Sequence, residues 1–150
     1  MAREVKPFAA PILAALGLLA GCASDSLYEQ HHDAVLAYES GANARAEALY
    51  QGLARSAPND PETWLRLGNL YARAERPDAA ADAYHRGLLL APSDARLWYN
   101  LGIVRQRQAH AALIQAHQFM ADDDPLLARS QAIIDRLAPA EGDAPTPAQR

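Results

Sequence analysis

Small and apolar residues recur at a helical interval through the middle of this chain. Trp64, Leu67, Gly68 and Tyr71 fall at i, i+3, i+4 and i+7, one face of a helix. Ala80, Tyr84 and Gly87 repeat the pattern on a second segment. Gly68 and Ala80 are small enough to let the two helices approach closely, with Trp64, Tyr71 and Tyr84 filling the space around that contact. Asp60 before Pro61 reads as an N-cap with proline at the first helical position, and Pro77 opens the second helix in the same way. Pro92 stops that helix, and Ser93–Asp94 cap the next. The chain is rich in alanine and poor in β-branched residues, which favours helix. No stretch shows the period-two alternation of a half-buried strand.

The pattern also repeats at long range. Trp64 and Trp98, Leu67 and Leu101, and Gly68 and Gly102 are each 34 residues apart. Ala46, Tyr50 and Pro58 precede Ala80, Tyr84 and Pro92 by the same interval. A period of 34 with W-x2-L-G-x2-Y, then A-x3-aromatic, then Pro, resembles the tetratricopeptide repeat. The resemblance implies an all-α solenoid of helix-turn-helix units, about two and a half repeats with a C-terminal capping helix. The expected structural core is Trp64, Leu67, Gly68, Tyr71, Ala80, Tyr84, Pro92, Trp98, Leu101 and Gly102. Gly87 departs from the family, which usually has alanine there.

The repeat domain is expected over 27–138, with units at 27–60, 61–94 and 95–121 and a capping helix at 125–138. The flanking units are less regular. In the first, strict spacing puts Asp33 where leucine is expected; a one-residue shift puts Ala34 there and aligns Tyr38 with Tyr71, and is preferred. In the third, Arg105 replaces the tyrosine, and no Gly or Pro breaks "RQRQAHAALIQAHQFMA". Two readings stay open: a turn as in the preceding unit, or one long helix from about Ala95 to Ala121. Asp124 and Pro125 start the capping helix, with Leu126, Ser130, Ile133, Ile134 and Leu137 along one side. A solenoid end needs such a cover. The tail at 139–150, "PAEGDAPTPAQR", lacks large apolar residues and is expected to be disordered.

The N-terminus has a different character. Arg3 and Lys6 precede an uncharged run of thirteen residues, Phe8 to Ala20, too short to span a bilayer and suited to a secretory signal. It ends in Leu19, Ala20, Gly21 and Cys22, which resembles the lipobox of bacterial lipoproteins. That resemblance implies a signal peptide at 1–21, lipidation of Cys22 and a short linker at 22–26. The alternative is an ordinary signal peptide or an uncleaved helix with an incidental cysteine. Cys22 is the one cysteine in the chain, so once lipidated it leaves no thiol for a disulfide.

Charge and chemistry narrow the function. The net charge of −4 argues against nucleic acid and against electrostatic binding to anionic lipid. No catalytic constellation, phosphate-binding glycine loop or H-E-x-x-H motif is present, so no enzymatic activity, cofactor or metal is expected. The five histidines do not share a ligating spacing, and Asp122–Asp124 read as a capped, solvated turn.

What remains is a binding surface. In the family, the first helix of each unit lines a concave groove that holds partner segments. The residues placed there are Leu65, Asn69, Arg73, Tyr99, Ile103 and Arg107. A carboxylate clamp is only partly matched: Asn69 and Asn100 suit it, but Leu65 stands in place of its lysine. A mixed apolar and polar groove fits better. The combined resemblance is to tetratricopeptide lipoproteins of the bacterial envelope. It implies an adaptor at the outer membrane, facing the periplasm, that binds a protein such as a secretin or pilus component. A regulatory adaptor of a periplasmic peptidoglycan-remodelling enzyme is the alternative, and a mere spacer or dimerisation module is the plainer one. The sequence does not fix the oligomeric state.

Overall fold

The computed structural model describes residues 26–138. The signal segment 1–21, Cys22 with most of its linker, and the tail 139–150 lie outside the described residues. Six helices occupy the described residues, and no strand occurs among them. They are α1 over 26–39, α2 (Asn43–Ser56), α3 (Pro61–Arg73), α4 (Pro77–Leu90), α5 (Ala95–His117) and α6 (Pro125–Leu137). The chain divides into two compact units, one ending at Leu49 and one beginning at Tyr50.

In the first unit, α1 buries Ala34, Ala37 and Tyr38. Asp33 stays exposed and pairs with Arg45 at 3.6 Å. The shifted register is therefore the one adopted, because the small and aromatic side chains go inward and the carboxylate outward. Gly41 ends α1 in the left-handed conformation, at φ 74°, with its amide donating to the Tyr38 carbonyl.

The second unit is organised by the antiparallel pair α3 and α4. Asp60 caps α3, its carboxylate accepting from the Glu62 and Thr63 amides at 3.1 and 3.0 Å. Gly68 and Tyr84 then meet where the helices are closest. A Cβ on Gly68 would overlap the Tyr84 ring, so only glycine lets this buried tyrosine lie flat against α3. Ala80, Ala81 and Leu88 of α4 join Leu65, Ala72, Leu97, Leu101 and Val104 in one apolar core. Asp94 caps α5 by accepting from the Arg96 amide.

α5 is a single helix of 23 residues. The third unit thus has no turn and no second helix of its own, and α5 stops at His117 rather than Ala121. Amides of Gln118 and Phe119 close its end onto Gln115 and Ala116 carbonyls. α6 lies against the second half of α5: Gln106 Nε2 donates to the Leu137 carbonyl at 3.2 Å, and His117 Nε2 is 3.2 Å from the Leu127 carbonyl. Asp124 and Pro125 begin α6 as expected. Its inner seam differs from the expected one. Ser130 is buried, with Leu127, Ile134 and Leu137 half-buried, whereas Leu126 and Ile133 are exposed.

Two expected core positions also differ. Trp98 and Gly102 are exposed, while their counterparts Trp64 and Gly68 are half-buried and buried. The sequence repeats, but among the described residues the helix that covers α3 has no equivalent over α5. Pro92, too, is exposed; it serves as a stop between α4 and α5.

Candidate protein-binding site

The first helices of successive units, α3 and α5, carry the six residues assigned to a groove. The structure separates them. Leu65 and Asn69 are buried, each 1% exposed, and are not available to a partner. Leu65 belongs to the apolar core. Asn69 is a structural junction: its Oδ1 accepts from the Tyr84 hydroxyl at 2.8 Å and from Asn100 Nδ2 at 2.9 Å. One amide oxygen thereby ties α3 to both α4 and α5. Asn100 is itself buried, so neither asparagine of the partial carboxylate clamp faces outward. Asn69 and Asn100, the two residues that suit a carboxylate clamp, are joined to each other by an internal hydrogen bond.

The other four remain at the surface. Arg73, Ile103 and Arg107 are half-buried, and Tyr99 is 63% exposed. Ile103 and Arg107 follow Tyr99 at i+4 and i+8, so the three form one edge of α5. Arg107 also lines a cleft of about 510 Å³, together with Ala72, Glu75, Pro77, Val104 and Gln108 among others. The cleft arises from unequal lengths. α3 has 13 residues and α5 has 23, so the face of α5 that packs on α3 continues past the α3–α4 turn. Val104, Gln108 and Ala111 recur at i, i+4 and i+7 along that continuation.

Glu75 forms the corner of the turn with φ 54°, unusual for a residue with a side chain. Asp78 accepts from Gln108 Nε2 and joins α4 to α5 across the cleft. The walls thus combine apolar Ala72, Pro77, Val104 and Ala111 with two carboxylates, a guanidinium and an amide. Such a lining suits a segment with both apolar side chains and hydrogen-bonding groups.

Residues 61–104 match the family model of the tetratricopeptide repeat. α3 and α4 are a tetratricopeptide repeat. The matched region runs into α5 as far as Val104, one wall of the cleft. The fold is accordingly an all-α arrangement of tetratricopeptide type, and such repeats mediate protein–protein interaction. The chain is 38% identical over 69 residues to the peroxisomal targeting signal receptor of Candida glabrata, covering 46% of this chain and 12% of that protein. It is 43% identical over 54 residues to the receptor of the same name from Saccharomyces cerevisiae, covering 36% of this chain and 9% of that protein. The chain therefore spans about a tenth of the length of these curated relatives.

Glu75, Pro77, Asp78 and Gln108 were not among the residues assigned from sequence. The groove assignment follows the regular offsets of the repeat, whereas Glu75 lies at its turn, Pro77 and Asp78 begin α4, and Gln108 lies on α5 beyond the matched region. The uninterrupted helical stretch after Val104 was the signal for Gln108 and Ala111. Among the described residues, no group of His, Cys, Asp and Glu is placed to hold a metal ion, and no helix is long and apolar enough to cross a membrane.

Proposed function

We propose that this protein is a lipid-anchored adaptor of the bacterial cell envelope, held at the outer membrane through Cys22 and facing the periplasm. It holds a protein partner during assembly of an envelope machine, with a secretin or pilus component as the partner class. It does so without catalysis. The observation that carries the binding role is Arg107, on the same edge of α5 as Ile103, lining the cleft of about 510 Å³ beside a tetratricopeptide repeat. The sequence "LLAGC" supports the anchor, since Leu19, Ala20 and Gly21 before Cys22 follow the lipobox pattern. Likeness to proteins named as targeting signal receptors supports recognition of a protein segment in general. Anchoring raises the effective concentration of a small binding surface near an embedded partner.

Two measurements test the two halves of this reading. Cys22→Ser should abolish labelling by a fatty-acid analogue and leave unprocessed precursor; equal labelling of the variant would sink the anchor. Ile103→Ala with Arg107→Glu should lower partner recovery from envelope extracts by about tenfold or more, equivalent to about 1.4 kcal/mol. Recovery unaffected by that double change would move the binding surface elsewhere. Recovery of wall-remodelling enzymes in place of pilus or secretin components would replace the partner class.

A further inference from the structure

α5 carries a second copy of the face that α3 buries, and among the described residues nothing covers that copy. Trp64 and Trp98 each donate their indole N–H to the carbonyl of a proline six residues earlier, Pro58 and Pro92, both at 2.8 Å. The two helices therefore begin with the same local geometry. Beyond that point they differ. Gly68 lies under Tyr84, and the Arg86 guanidinium sits 5.0 Å above the Trp64 ring. A Cβ on Gly102 would meet nothing within 4 Å, and Trp98 is 55% exposed. The positions 34 residues after Ala80, Tyr84 and Gly87 are Ile114, Gln118 and Ala121, and Ile114 is already within α5. This chain cannot cover its own slot from that segment.

The same helix also carries a ridge of the kind that fills such a slot. α4 covers α3 with Ala80, Tyr84 and Gly87, a small residue, an aromatic four positions on and a small residue three further. α5 has Ala95, Tyr99 and Gly102 at those spacings, all exposed. In the α3–α4 pair, Gly68 faces Tyr84, and Trp64 Cβ is 3.4 Å from the place a Gly87 Cβ would take. Transferred to two antiparallel copies of α5, the same pairing puts Gly102 under Tyr99 of the second copy and Trp98 against its Gly102. The relation reads identically from either side, which a two-fold interface requires. It also brings Arg105 level with the second copy's Ala95, next to its Asp94. Within one chain Arg105 has Gln108 and His85 as neighbours, at 3.0 and 3.3 Å, neither of them a carboxylate.

We infer that the Trp98–Tyr99–Gly102 face of α5 is a self-association surface, occupied by α5 of a second copy of this chain with Tyr99 seated on Gly102. This does not rest on the envelope partner proposed above. Gly102 belongs to the self-association face alone, so its substitution separates the two.

The test measures the mass of the full chain by sedimentation across a concentration series, with the anchor kept in detergent. The native chain should reach twice the monomer mass. Gly102→Leu fills the slot and should raise the dimer dissociation constant by about tenfold or more. At concentrations where both chains are monomeric its melting temperature should stay the same or rise, which separates a lost interface from a lost fold. Tyr99→Ala should weaken the dimer too, while Arg107→Glu should not. A native chain that stays monomeric throughout, or a dimer indifferent to Gly102→Leu, overturns the inference. So does a monomer whose Gly102 face instead captures a foreign helix.

Discussion

Gly68 and Gly102 occupy the same place in the repeat and have opposite surroundings. Gly68→Leu would push a side chain into the Tyr84 ring and should cost about 1–3 kcal/mol or more. Gly102→Leu meets open space and gains helix propensity. Thermal melts of the two variants should therefore move in opposite directions or, for Gly102→Leu, not at all. Asn69 is the second position where one residue decides much. Asn69→Ala removes the acceptor shared by Tyr84 and Asn100 and leaves buried donors without it. The expected loss is about 1–3 kcal/mol by denaturant unfolding. A variant that kept full stability would show that water enters and replaces the amide.

Helix starts are where elements are joined. Asp94 caps α5, and its carboxylate also holds Arg96, which reaches Glu62 at the start of α3 at 3.0 Å. The hydrogen bond from the Arg96 side chain, opposed in part by desolvation, holds the Asp94 carboxyl below its ordinary range. Because the folded value is the lower one, this contribution is complete above the ordinary aspartate pKa. It is lost as pH falls through the lowered value. Asp94→Ala should cost about 1 kcal/mol at neutral pH, mostly through the lost cap, since the ion pairs are near the surface. The difference between variant and native chain should shrink in acid. A stability gap that stays constant down to the acid limit would show that the carboxylate charge contributes nothing.

At the scale of the second unit, α6 has the role that a terminal cover has in a solenoid. It leans on the part of α5 that outruns α3 and α4, through Gln106 and His117. Ending the chain at Ala121 should leave α3 and α4 folded, and should strip amide protection from α5 between Arg107 and His117. Hydrogen exchange read residue by residue checks this; unchanged protection there would mean that the long helix stands without its cover.

The sequence alone determined α2, α3, α4 and α6, the caps at the starts of α3, α5 and α6, and the pairing of α3 with α4, but not the length of α5. Those features depend on neighbours three, four or 34 positions apart, and Asp60, Gly68, Tyr84, Asp94 and Asp124 carry them visibly. It also marked Ala34 and Tyr38 as the inward face of α1, since the alternative register buries Asp33. Tertiary structure decided what each repeated position became. Asn69 looked like a ligand-facing residue until Asn100 and Tyr84 closed around its oxygen. Trp98 and Gly102 matched a core pattern, but burial requires a covering element, and the segment that would have supplied it continued α5 instead. The cleft at Glu75, Asp78 and Gln108 follows from the same choice. It exists because one helix outran another, a difference in length that sets three-dimensional space beside residues with no periodic signal of their own.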